Sequence, residues 1–231
     1  MLAAAGWRGS ADAGGALHDP CCGSGTIAIE AAQIACGIAP GLKRRFAFER
    51  LLPFADAQGR ADLQRLRSQA QARIHPSAVP IFASDLSFRM VDFARRNAQR
   101  AGVEAAITFN GGDALERPAP TLPDALPGTL MINPPYGERI DVGGKARQAV
   151  PAEPGQRSAP DDFFARLAAH WKRAYTQHAA GWTAYVLSPD MKLPSAMRLK
   201  ESRRLPMWNG PIECRLFRFE LVAGSARPEP R

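Results

Sequence analysis

A chain of 231 residues, 45% hydrophobic and 23% charged, has the composition of a soluble globular protein able to bury a sizeable core. No apolar run approaches membrane-spanning length, and the net charge of +8, with a pI near 9.9, favours a polyanionic partner such as nucleic acid. Cys21, Cys22, Cys36 and Cys214 form neither a disulfide framework nor a paired CxxC set, and the four histidines are scattered singly. No metal is therefore expected, and reduced thiols without a charged-then-apolar leader predict a cytoplasmic protein.

Met1 to Trp7 read as a helix tail entering a Gly- and Ser-rich linker, Gly9 to Gly15. A short strand, Ala16 to Asp19, precedes the turn Pro20-Cys21-Cys22-Gly23-Ser24-Gly25, and Thr26 to Cys36 is an apolar helix closed by Gly37. Strand, glycine turn and helix open a nucleotide-binding α/β fold. Residues 37–76 read as an insertion, loop up to Phe54 and helical in composition from Arg60 to Ile74. Val79 to Ala83 is the second strand, ending at Ser84-Asp85. Ser87 then caps a helix over Phe88 to Ala101, with Met90, Ala94, Ala98 and Ala101 on one face.

Ala105 to Asn110 is the third strand, leading to Gly111-Gly112-Asp113, and a proline-rich loop precedes the fourth, Gly128 to Ile132. Residues 141–160 read as a mobile loop. Asp161 and Asp162 suit a helix start, after which Phe163, Phe164, Leu167, Ala168, Trp171 and Tyr175 recur at helical spacing. Trp182 to Leu187 is a fifth strand, Met191 to Met197 a short helix, and Arg203 to Trp208 with Ile212 to Leu221 a closing hairpin through Asn209-Gly210. A frayed tail begins at Ala223. This alternation predicts an α/β, doubly wound, Rossmann-like fold with a mainly parallel seven-stranded sheet and a C-terminal antiparallel hairpin.

Three acids, Asp19, Asp85 and Asp113, follow the first three strands. Taken singly, each reads as a helix cap or turn former. Together with Gly23 and Gly25, which let the backbone approach a ligand closely, they describe an adenosine site. A carboxylate past the second strand suits ribose hydroxyls, and one past the third suits an adenine amino group. The fourth strand stops at Asn133-Pro134-Pro135-Tyr136-Gly137. Two prolines hold that turn extended and remove backbone donors. A side-chain amide, free carbonyls and a flat ring there suit a planar group with an exocyclic amine. First and fourth strands are neighbours at the switch point of a doubly wound sheet, so the two turns should face each other.

With both turns placed, the chain resembles class I S-adenosylmethionine-dependent methyltransferases. Asp19-x-Cys21-x-Gly23-x-Gly25 is similar to their first motif, with Cys21 where glycine is common, and Asn133-Pro134-Pro135-Tyr136 resembles the signature of those that methylate amino nitrogens. DPCCGSGTIAIEAA (19–32), ASDLSFRMVDFARRNAQRAGV (83–103), NPPYGERI (133–140) and NGPIECRLFRFEL (209–221) narrow the resemblance. They are similar to bacterial 23S rRNA guanine-N2 methyltransferases that carry a THUMP RNA-binding domain. The resemblance implies a catalytic domain over residues 1–222, with the THUMP and ferredoxin-like part expected upstream and absent here.

It also implies S-adenosylmethionine as cofactor. Asp19, Gly23 and Gly25 would surround its methionine part and ribose, Asp85 would hold the ribose hydroxyls and Asp113 the adenine, with Cys21, Ser24, Leu86 and Ala114 in the same site. Asn133 and Pro134 would accept hydrogen bonds from the target amine, Pro135 would stiffen the turn, and Tyr136 would stack on the base. The implied partner is RNA, 23S rRNA or a ribosomal assembly intermediate. Lys43, Arg44, Arg45, Arg198, Lys200, Arg203 and Arg204 are candidate phosphate contacts. Rival readings are methylation of adenine N6, of transfer-RNA guanine or of a protein glutamine. Two further rivals are a nicotinamide oxidoreductase built on Gly23-x-Gly25-x-x-Ala28 and a non-catalytic RNA-binding module.

Overall fold

The computed structural model describes residues 1–52, 54–134 and 160–223, apart from the side chains of 160–162. Seven strands form one sheet: β1 (Ala16–Asp19), β2 (Ile81–Asp85), β3 (Ile107–Gly111), β4 (Gly128–Ile132), β5 (Trp182–Ser188), β6 (Glu201–Asn209) and β7 (Ile212–Leu221). Their order is β3-β2-β1-β4-β5-β7-β6, parallel from β3 to β5, with β7 antiparallel to β5 and β6 antiparallel to β7. The direction of winding reverses between β1 and β4, which pair through Leu17↔Thr129 and His18↔Leu130. The expected doubly wound sheet with its closing hairpin is the fold observed.

Among the described residues, six α-helices accompany the sheet: α1 (Leu2–Ala5), α2 (Thr26–Ala35), α3 (Ala57–Gln71), α4 (Phe88–Ala101), α5 (Pro160–Ala174) and α6 (Leu193–Ala196). Every residue of β4 is buried, as a parallel strand covered on both faces requires. Its side chains alternate between two cores. Met131 packs with α2 and α4 through Ala28, Ala31, Ala94 and Ala98. Leu130 and Ile132 pack with Phe164, Leu167 and Trp171 of α5 and with Phe217 and Phe219 of β7. Small alanines on α2 and α4 let both helices lie close to the sheet.

Several boundaries differ from expectation. β2 begins at Ile81 rather than Val79 because Pro80 has no amide to donate, and its carbonyl instead accepts from Leu17 N at 3.0 Å. β3 begins at Ile107, after a 3₁₀ turn over Glu104–Ala106. The buried stripe of α4 is Val91, Ala94 and Ala98, with Met90 and Ala101 only half-buried at its margins. The expected linker at 9–15 is instead a packed turn. Trp7 is buried there and its Nε1 donates to the Gly15 carbonyl at 3.2 Å. A Cβ on Gly14 would stand 2.2 Å from the Trp7 ring and one on Gly9 2.6 Å from Ala35 Cα, so these glycines serve close approach as well as their positive φ of 102° and 74°.

The insertion at 37–76 folds outside the two cores. It contains a 3₁₀ turn, Ala47–Arg50, and α3, whose N-cap Asp56 accepts from Gly59 N at 2.7 Å. No residue of α3 is buried. Pro135, Tyr136, the loop as far as 159 and the tail from 224 lie outside the described residues.

Candidate active site

The parallel strands deliver Asp19, Asp85, Asp113 and Asn133 to one edge of the sheet, each at or just past a C-terminal strand end. This is where open α/β sheets bind ligands. The bland reading of the three acids and the functional one hold together. One oxygen of each carboxylate closes a turn on the amide two residues ahead. Cys21 N donates to Asp19 Oδ1 at 3.2 Å, Ser87 N to Asp85 Oδ1 at 2.9 Å, and Leu115 N to Asp113 Oδ1 at 2.9 Å. The second oxygens differ. Asp85 Oδ2 accepts from Gly23 N at 2.9 Å, tying β2 to the glycine turn, whereas Asp19 and Asp113 keep Oδ2 unbonded among the described residues.

The glycine turn is held from both sides. Cys22 N donates to the Ser84 carbonyl at 2.9 Å, and Asn97 Nδ2 of α4 donates to the Ser24 carbonyl at 2.8 Å. Gly25 is the N-cap of α2 at φ 87°, and a Cβ there would come 2.9 Å from Ala94 Cβ. Gly23 has φ 52°, and a Cβ on it would meet nothing within 4 Å. The turn is therefore left-handed, fixed from below and open above. Ser24 is exposed, Leu86 is 47% exposed, and Ala114 is buried beside Asp113.

Burial pushes Asp19 up to about 8, helped by the neighbouring Asp85 carboxylate and opposed by the Cys21 amide. A buried, half-satisfied acid beside a second acid holds its proton, and a bound cation would favour its ionised form. The same burial, with Asp19 and Asp85 as further causes, holds the Cys21 and Cys22 thiols well above their ordinary range. Neither is a ready thiolate. Among the described residues no group of three or more His, Cys, Asp and Glu is placed to hold a metal.

Beneath Asp19 lies a polar chain that residue type and spacing did not assign. His18 is buried, with Nδ1 3.0 Å from Tyr175 Oη and Nε2 3.3 Å from Ser84 Oγ. Burial lowers His18 to about 3, with the Arg117 cation adding to the effect, so the ring is neutral and donates through one nitrogen while accepting through the other. The chain links β1, β2 and the end of α5 behind the acids. A histidine inside an apolar strand, next to a strand-end acid, was the signal for it.

Asn133 is exposed directly after β4 and Pro134 is buried behind it. The Asn133 amide makes no hydrogen bond among the described residues, so its oxygen and NH₂ are available to a ligand. Of the predicted amine-binding turn, these two residues follow β4, the sheet neighbour of β1, and Pro135 and Tyr136 lie outside the described residues.

Residues 1–218 match the family described as RMKL-like, methyltransferase domain. The chain belongs to this family. Among curated relatives, the ribosomal RNA large subunit methyltransferase K/L of Shewanella baltica is 35% identical and that of Shewanella oneidensis 36%, each over 228 residues. The alignments cover 98% of this chain, which spans 29% of the length of those relatives. Among solved structures, SMU.472 complexed with SAH is 27% identical at a TM-score of 0.72, over 92% of this chain and 49% of that one. The domain thus has the Rossmann-like architecture of a methyltransferase, and its glycine turn and strand-end acids occupy the sheet edge where that architecture binds ligands.

Proposed function

We propose that this domain transfers a methyl group from S-adenosylmethionine to the exocyclic amine of a base in RNA, guanine N2 in large-subunit ribosomal RNA. The observation that carries the reading is the meeting, at one switch point, of an open glycine turn with strand-end acids and of an exposed strand-end amide. The names of the curated relatives, the likeness to a structure complexed with SAH and the basic charge of the chain support it.

The residues present fit the cofactor. Gly23 leaves room above the turn, Asp19 is a buried carboxylate with one oxygen unbonded, and Asp113 offers another acceptor. Bound there, S-adenosylmethionine would supply an electrophilic methyl on a cationic sulfonium. Asp19 and Asp85 stabilise positive charge, Asp85 and Asp113 accept from ribose hydroxyls and the adenine amine, and Cys21, Ser24, Leu86 and Ala114 line the same hollow. Asp85 can serve only through its remaining lone pairs, because both its oxygens already accept backbone amides.

An exocyclic amine is a weak nucleophile because its lone pair is delocalised into the ring. Asn133 Oδ1 and the Pro134 carbonyl accept its two N–H bonds, turn the lone pair toward the methyl and stabilise charge developing on nitrogen. Pro135 and Tyr136 are assigned to this turn from sequence, Pro135 to limit its freedom and Tyr136 to stack on a base that must be flipped or unpaired to enter. The proton leaves after transfer, when nitrogen is far more acidic, so no strong base is required.

The test is calorimetric titration with S-adenosylmethionine, followed by methyl transfer to ribosomal RNA from cells lacking the modification, with the product nucleoside identified by mass spectrometry. Micromolar binding and N2-methylguanosine are the expected results. A folded sample that binds no cofactor would overturn the reading. N6-methyladenosine as the product would move the substrate to adenine, and methyl transfer to protein alone would move it to glutamine.

A further inference from the structure

The whole formal net charge of this chain is confined to two neighbouring pieces of it. Residues 37–76 hold eight cations against three carboxylates, and α4 holds four against one, which together equal the +8 of the entire chain. The remainder is neutral. The two pieces touch, since Lys43 Nζ lies at the C-terminal end of α4, 2.5 Å from where a Cβ on Gly102 would stand.

Aromatic rings are interleaved with these cations and are left in solvent. On α4, Phe93 is 37% exposed, with the Arg89 guanidinium 5.4 Å and the Arg96 guanidinium 6.0 Å from its centroid. In the insertion, Arg44 stands 5.8 Å from the Phe46 ring, which stacks on Phe48 at 5.6 Å, and Phe48 meets Phe54 edge-on at 5.4 Å. Lys43, Arg44, Arg45 and Arg50 form no ion pair among the described residues. Ordinary packing does not require such exposure, and a solvated face would not collect rings.

We infer that the exposed face of α4 and the insertion form one continuous track for single-stranded RNA flanking the target nucleotide. Phosphates pair with the cations and bases stack on the phenyl and guanidinium planes. The track starts beside the site, because Ser87 and Asp85 lie at the N-terminal end of α4. It runs the 14 residues of α4, about 20 Å at 1.5 Å per residue, before reaching Lys43. It rests on RNA being the substrate, and adds the surface that holds the strand outside the catalytic pocket.

The experiment compares the wild-type chain with Arg44→Gln/Arg45→Gln/Arg96→Gln, all exposed positions, using unmodified ribosomal RNA and a fluorescent single-stranded oligonucleotide. The variant should melt within a few degrees of wild type, bind S-adenosylmethionine unchanged and keep kcat at saturating RNA. Its KM for RNA should rise about 10–100-fold. The slope of log affinity against log salt should fall by about 2, at roughly 0.7 for each single-strand phosphate no longer neutralised. Phe93→Ser should weaken oligonucleotide binding without changing that slope. If wild type methylates RNA and the triple variant does so with unchanged KM and salt slope, the track is wrong and the proposed activity stands. If wild type accepts no RNA and methylates protein, both are wrong. Self-association of wild type that the variants abolish, with RNA affinity unchanged, would make this face an interface between copies and overturn the proposal.

Discussion

At the scale of single residues, two adjacent buried titrating groups of β1, His18 and Asp19, oppose each other. Asp19 is held neutral up to about 8, so the folded state binds more protons than the unfolded one above the ordinary carboxylate range. Its contribution to stability is full at low pH and is lost as pH rises through that window. His18 is lowered to about 3, so the unfolded chain takes up the proton first. Its contribution is full above about 6.5 and is lost as pH falls toward 3. Between about pH 4 and 6.5 the two slopes, each near 1.4 kcal/mol per pH unit at most, should largely cancel. Chemical denaturation across that range should therefore show a change at wild type intermediate between those of Asp19→Asn and His18→Gln. Asp19→Asn should lose stability toward acid, and His18→Gln should gain it.

The same acid links cofactor binding to pH. Because a cationic ligand favours the ionised form, affinity for S-adenosylmethionine should rise with pH up to about 8 with release of close to one proton, and Asp19→Asn should remove that slope. Calorimetry in buffers of different ionisation heat reads the proton directly. Asn133→Ala should reduce methyl transfer by about 10²-fold or more with cofactor affinity nearly unchanged, since it removes an acceptor met only by the target amine. Full activity in that variant would place the acceptor elsewhere.

At the scale of elements, local sequence decided how each piece begins and ends, and packing decided which face it shows. Ser87 caps α4 by accepting from Met90 N at 3.4 Å, and Ser87→Ala should cost about 1 kcal/mol in thermal or denaturant unfolding. Gly128 tells a different story. It reads as an ordinary strand residue, yet a Cβ on it would stand 2.3 Å from the ring of Trp182, its partner in β5. Gly128→Ala should destabilise by about 1–3 kcal/mol through overpacking, a cost that no propensity would suggest. The periodicity of α4 located its buried side to within one position, and burial of Val91 in place of Met90 reflects where the sheet lies against the helix.

At the scale of the molecule, the fold was legible because alternation of strands and helices, turn residues and caps all pointed to the same doubly wound sheet. So was the edge that carries the site, since topology alone sends the ends of β1, β2, β3 and β4 to one side. The packed turn at 9–15 was not legible. Glycine and serine there read as a linker, and only the arrival of Trp7 and Ala35 shows why no larger residue fits. The insertion reads in sequence as loop and helix with Lys43, Arg44 and Arg45 as candidate phosphate contacts, and only the structure shows α3 without a single buried residue and Lys43 at the end of α4.

The sequence by itself determined the elements, the glycine turn, the three acids and the amide after β4, because each is specified by residue type and spacing within a few positions along the chain. Only the tertiary structure decided what each acid has left to offer a ligand, that His18 joins Tyr175 and Ser84 behind them, and that charge from two separate stretches meets on one surface. Those properties depend on which atoms come within about 3 Å across the sheet, and such distances are set by packing between segments far apart in the chain.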